Sequence, residues 1–143
     1  MLNTVMHATP AKPLILVADD RPSSRELLRT VLERAGYDVI EAEDGEAALE
    51  QARTHLPDLI LLDLQMPRLD GYGVMERLRN DPGYAPPPVL ALTASAMRGD
   101  REKILAAGFT EYLSKPAGAE ALRESVARLL RPKGTEASAQ GSE

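Results

Sequence analysis

Residues 58–63 read Asp-Leu-Ile-Leu-Leu-Asp, and this stretch decides the fold. Leu59 to Leu62 is an unbroken apolar run, too short for a helix and without polar alternation. A strand buried on both faces has that pattern, and buried parallel sheets are built from such strands. The spacing predicts a strand over Asp58 to Leu62 that ends at Asp63. The motif repeats on either side. Leu14-Ile15-Leu16-Val17-Ala18 runs into Asp19-Asp20, Val89-Leu90-Ala91-Leu92 into Thr93, and Phe109 to Leu113 into Ser114-Lys115-Pro116. Tyr37 to Glu41 reads as a partly exposed strand.

Helical spacing fills the intervals. Pro22 to Ala35 places Leu27, Leu28, Val31, Leu32 and Ala35 at helical spacing, with Pro22 in the first turn and Gly36 at the stop. Asp44-Gly45 opens a second helix with Ala47, Ala48, Leu49 and Ala52 inward, closed by Pro57. Pro67 to Gly71 is a loop. Tyr72 to Arg79, Asp100 to Ala107 (stopped by Gly108) and Ala119 to Leu130 complete the helices, and Asp81 to Pro88 is a Pro/Gly-rich connection. Strand and helix alternating along the whole chain predict an α/β domain, a parallel five-stranded sheet with helices on both faces. We expect a flexible N-terminus over 1–12, one domain over 13–131 and a disordered tail over 132–143, because the tail is small, polar and aperiodic.

Composition narrows the function. The 143 residues suit one domain, and the absence of cysteine removes disulfides, thiolate metal sites and a cysteine nucleophile. With 17 Lys and Arg against 22 Asp and Glu the net charge is −5, which speaks against a broad nucleic-acid footprint. Aromatic residues are only 3% of the chain, too few for base-stacking platforms. No secretory leader or membrane-length apolar run is seen, so the expectation is a soluble, cytoplasmic protein with no membrane partner.

Every long apolar run delivers a polar residue to one rim of the sheet, where open α/β folds bind ligands. Asp19 and Asp20 as a pair also fit the charge expected at an exposed helix start. Asp63 tips the balance, because three converging carboxylates repel one another unless a cation joins them. Magnesium prefers oxygen ligands and is held by one or two carboxylates plus a phosphate. Lys115 can supply an ammonium and Thr93 a hydroxyl. A carboxylate nucleophile, a hard-cation site, a hydroxyl and a fixed positive charge are the parts that phosphoryl transfer needs.

Taken together, Val17-Ala18-Asp19-Asp20, Leu62-Asp63-Leu64-Gln65-Met66-Pro67, Asp70-Gly71, Leu92-Thr93-Ala94 and Ser114-Lys115-Pro116 resemble the receiver domain of two-component response regulators, the CheY-like superfamily. The resemblance covers Leu14 to Leu130. It implies a flavodoxin-like, doubly wound (βα)5 fold with strand order 2-1-3-4-5, an order for which CheY is a standard example. It implies Asp63 as phosphoacceptor, with Asp20, Asp63 and the backbone carbonyl of Gln65 as direct ligands of magnesium, for which manganese can stand in. Asp19 is then expected to reach the ion through water. Thr93 and Lys115 are expected to meet the phosphoryl oxygens, Tyr112 to turn inward as Thr93 moves, and the Lys115–Pro116 bond to be cis.

The resemblance further implies a signalling switch rather than an enzyme with an external substrate. Its phosphodonor would be a sensor histidine kinase or a histidine phosphotransfer protein. Its output would be a protein partner on the face of the fourth helix, fifth strand and fifth helix, with no nucleic acid. Thr93 to Asp100 is similar to single-domain receivers and hybrid-kinase receivers, including the DivK-like group. Ala117-Gly118 departs from the bulky apolar residue frequent after Lys-Pro and predicts a looser start to the last helix. Two alternatives remain: a magnesium-dependent aspartyl-phosphate phosphohydrolase, and a scaffold never phosphorylated. Gln65 weighs against the first, because it cannot act as the general acid expected two residues after the nucleophile.

Overall fold

The computed structural model describes residues 12–94 and 98–131. Most of the expected flexible N-terminus, the expected tail and Ser95 therefore lie outside the described residues. Strands β1 (Leu14–Ala18), β2 (Asp38–Ala42), β3 (Leu59–Asp63), β4 (Val89–Thr93) and β5 (Glu111–Ser114) alternate with helices α1 (Pro22–Arg34), α2 (Gly45–His55), α3 (Gly71–Arg79), α4 (Arg98–Ala106) and α5 (Ala119–Leu129). The sheet is parallel throughout, in the order β2-β1-β3-β4-β5.

Burial follows from that order. The interior strands β3 and β4 are buried at every position, and β1 at all but its first. Edge strands β2 and β5 are buried only in part, as their mixed composition implied. Successive residues point to opposite faces. Ile15, Val17, Leu59, Leu61, Leu90 and Leu92 join Leu28 and Leu32 of α1 and Leu122 and Val126 of α5 in one core. Leu16, Ala18, Ile60, Leu62, Val89 and Ala91 join Ala48 of α2, Val74 and Leu78 of α3 and Ile104 of α4 in the other. Each fully buried leucine or isoleucine contributes about 1.5–3 kcal/mol of transfer free energy, so two such layers suffice without cross-links.

Three readings need correction. Leu27 is 57% exposed, because α1 buries Leu28 and Leu32 and a neighbour one residue away falls on the outer face. Ala35 is exposed too, since α1 has ended. The last strand begins at Glu111 rather than Phe109. Gly108 turns the chain at φ 108°, and Phe109 seats its ring edge-on against Tyr72, with centroids 5.9 Å apart, before the ladder starts. Its burial is that of a plug beneath α4, not of a strand residue.

Candidate functional site

The period-two alternation that builds the cores also assembles the site. Asp19 follows Ile15 and Val17, Asp63 follows Leu59 and Leu61, and Lys115 follows Leu113, so all three continue toward the α1/α5 face. Thr93 follows Val89 and Ala91 and shares the opposite face with Tyr112, which packs against the α2–α4 core.

Asp19 and Asp63 are held in the same way. Each carboxylate accepts the backbone N–H two residues on: Oδ1 of Asp19 from Arg21 at 2.9 Å, Oδ1 of Asp63 from Gln65 at 3.0 Å. Each turns its other oxygen to Lys115, whose Nζ lies 3.0 Å from Asp19 Oδ2 and 3.3 Å from Asp63 Oδ2. The Lys115 N–H donates to the Thr93 carbonyl at 2.7 Å, extending the β4–β5 ladder to the lysine. The Lys115–Pro116 bond is cis, as the resemblance implied. Asp19 is fully buried and Asp63 is 4% exposed, so the acidic pair is not simply a solvated helix start. Only Asp20 is exposed.

The three acids bring carboxylate oxygens within 4.8 Å of one another. Asp20 and Asp63 line a cleft of about 580 Å³ with Arg21, Gln65, Ala94 and Lys115, and Asp19 lies buried beside them. The charge around Lys115 is uneven: Asp19 and Asp63 both pair with its one ammonium, and Asp20 lies beside them. Burial pushes the Asp63 carboxyl above the ordinary aspartate value, and the charge of Asp19 adds to it. The Gln65 N–H and Lys115 oppose this without overcoming it. For Lys115 burial acts downward, yet the hydrogen bond to Asp19 and the charges of Asp63 and Asp19 hold its ammonium above the ordinary lysine value. A further cation would relieve the repulsion among these carboxylates, and an all-oxygen donor set fits a hard divalent ion.

Close backbone packing fixes the far wall. A Cβ on Gly71 would lie 2.7 Å from the Asp63 carbonyl oxygen and 2.8 Å from Leu64 Cα. Only glycine lets the N-terminus of α3 sit so close behind the central acid. Asp70 caps that helix, its Oδ1 accepting the Gly73 N–H at 2.9 Å. At the other end of the site, the N-cap of α5 is Gly118, which offers no side-chain cap. Tyr112 stands apart from the acids, half-buried, with the Arg101 guanidinium 5.8 Å from its ring centre.

One residue escaped the sequence reading. Arg25 in α1 donates from Nη1 to the Asp19 carbonyl oxygen at 2.8 Å and from Nε to Glu41 of β2 at 3.0 Å. A signal was there: the first turn of α1 holds no acid, and an arginine near a helix N-terminus opposes the helix dipole.

The comparisons agree with this geometry. The family model for the response regulator receiver domain matches residues 15–127. The polar-differentiation response regulator DivK of Brucella anthropi is 37% identical over 116 residues, covering 81% of this chain and 94% of its own. The solved chemotaxis protein CheY4 of Vibrio cholerae superposes with a TM-score of 0.78 at 32% identity, over 84% of this chain and 100% of that one. The receiver domain of the sensor histidine kinase PA1611 of Pseudomonas aeruginosa is 34% identical, with a TM-score of 0.75 over 84% of this chain and 98% of its own. It was solved with a magnesium ion coordinated in the active-site cleft. Among the described residues no helix is long and apolar enough to cross a membrane. The sheet order, the acidic cup and the family match together make this chain a member of the response regulator receiver domain family.

Proposed function

We propose that the chain is a phosphorylation switch in which Asp63 accepts a phosphoryl group from a histidine kinase or a histidine phosphotransfer protein. One observation carries this reading: a buried carboxylate whose charge is disfavoured sits beside two further acids and one lysine at the open end of the sheet. Asp19, Asp20, Asp63 and the backbone of Gln65 would hold magnesium, which supplies charge neutralisation for the transferring phosphoryl oxygens.

The chain's own groups do the rest. A carboxylate oxygen of Asp63 attacks phosphorus, the P–N bond of the donor phosphohistidine breaks, and the imidazole leaves with that electron pair and takes up a proton. Lys115, already 3.3 Å from the carboxylate, neutralises the oxygens that arrive. The Thr93 hydroxyl is the donor on the opposite side. On this reading the protein catalyses only its own phosphorylation and its return by hydrolysis. Thr93 and Tyr112 share the α4 side of the sheet, so occupancy of Asp63 shifts an existing equilibrium there and alters the face of α4, β5 and α5 that meets a downstream protein.

Acetyl phosphate with Mg²⁺ will add one phosphoryl group to the wild type, and Asp63→Asn will take up none, as read by intact mass. Uptake by Asp63→Asn at the wild-type rate overturns the assignment. Turnover of a chromogenic phosphate ester well above self-hydrolysis would favour an external-substrate phosphohydrolase.

A further inference from the structure

Asp19 has two demands at once. Its side chain must aim at the cleft, and its backbone leaves the sheet where β1 has ended. The Asp19 N–H still reaches the Ala42 carbonyl at 3.1 Å, the last rung toward β2. Its own carbonyl, on a fully buried residue, has no strand left to receive from. Buried carbonyls need donors. Here the donor is Arg25, and the same guanidinium is pinned by Glu41.

Glu41 is fixed in turn. It faces Val17 in the β1–β2 register and follows Val39, a residue of the α1/α5 core, so it points at α1. Its second oxygen takes Arg29 Nη1 at 2.6 Å. The Arg25 side chain is only 16% exposed. One planar fork therefore ties the edge strand to the peptide between Asp19 and Asp20. A lysine has the charge but cannot hold two partners at fixed angles.

We infer that Arg25 is a positioning residue of the metal site: it orients the Asp19–Asp20 peptide, and divalent-ion affinity depends on that orientation. This rests on the metal-dependent reading of the cup proposed above. Outer partners that hold ligands in place characteristically change metal affinity about 10–100-fold when lost. The sign is diagnostic. Simple electrostatics says that removing a nearby cation should tighten binding of a divalent ion. Loss of orientation says the reverse.

The test is Mn²⁺ binding to the full chain, measured by electron paramagnetic resonance, in the wild type, Arg25→Gln, Arg25→Lys and Arg29→Gln. Arg29 shares Glu41 but does not reach Asp19, so Arg29→Gln controls for general weakening of this corner. We expect Arg25→Gln and Arg25→Lys to bind Mn²⁺ about 10-fold more weakly, and Arg29→Gln to match the wild type. In the metal-free protein, amide exchange at Arg21, whose N–H is held by Asp19, will speed up in the Arg25 variants only. Unchanged or tighter binding in Arg25→Gln overturns the inference, as does full recovery in Arg25→Lys or an equal loss in Arg29→Gln. A wild type that binds no Mn²⁺ overturns the reading of the cup as well, which separates the two failures.

Discussion

Helices α1 and α4 lie on opposite faces of one sheet and are fastened by different means. Helix α1 buries Leu28 and Leu32 and adds Arg25 and Arg29, both bonded to Glu41 on the neighbouring strand. Among the described residues, α4 buries one side chain, Ile104. Two of its cations also meet rings: Lys103 Nζ lies 4.8 Å from the Tyr72 ring centre, and Arg101 stacks over Tyr112. Cation–π contacts at such sites contribute about 0.5–1 kcal/mol each. The side that carries the acids is thus built to stay put, while the side that carries Thr93 and Tyr112 rests on little apolar area. Segments held in that way open locally at low free energy, and switching elements are drawn from them.

The largest expected effect tests this contrast directly. Leu32→Ala and Ile104→Ala both remove a fully buried aliphatic side chain, a loss of about 2–5 kcal/mol for well-packed sites. Leu32→Ala will lower global stability in urea by that amount. Ile104→Ala will cost less globally, because its penalty is capped by the free energy of undocking α4, and it will show as selective loss of amide protection in α4. Equal midpoints, with protection lost evenly, break the comparison.

A smaller effect concerns the cost of the cup. Burial holds the Asp63 carboxyl above its ordinary value, so the folded state binds that proton more tightly than the unfolded chain. Ionised Asp63 therefore costs stability at every pH above the unfolded value, and the cost fades as pH falls. Asp63→Asn removes it, and in EDTA at neutral pH the variant will be more stable than the wild type, read as a higher Tm. A lower Tm would mean that Lys115 compensates the carboxylate fully.

The smallest effect sharpens the account of α1. Burial acts to raise the Glu41 carboxyl, but hydrogen bonds from Arg29 and Arg25 outweigh it and hold it below the ordinary glutamate value. A depressed carboxyl stabilises the fold above the unfolded value, and that contribution disappears as pH falls through the folded one. Glu41→Gln will cost about 0.5–1 kcal/mol near neutrality, as a part-exposed network should. The gap to the wild type will close in acid. A gap independent of pH would show that Glu41 acts through packing instead.

The fold was legible because three of the five strands are interior. Strands β1, β3 and β4 meet apolar helices on both faces, so their sequences are unbroken aliphatic runs that leave one reading. Asp19, Asp63 and Thr93 were legible for the same reason, each being the first polar residue after such a run, and Lys115 follows the shorter edge strand. What stayed hidden depends on tertiary geometry. Phe109 counts as apolar whether it lies in a ladder or plugs the space beside Tyr72, and Leu27 cannot be told from Leu28 without the helix phase. Arg25 could not be placed from its helix position alone, since its partner Glu41 is brought beside it only by the β1–β2 pairing. The burial of Asp19 was likewise invisible, because Lys115 pairs with it from a distant part of the chain.

The two-residue repeat of the strands has one more consequence. Asp19, Asp63 and Lys115 look toward one face and Thr93 and Tyr112 toward the other. Deleting a single residue from β4 would exchange its even and odd positions and carry Thr93 across the sheet, severing the two halves of the device even if the fold survived. Deleting two would keep the orientation and only shorten the reach. Tolerance to length change in β4 is therefore a matter of parity, and the arithmetic of the pleat guards the link between receiving a signal and reporting it.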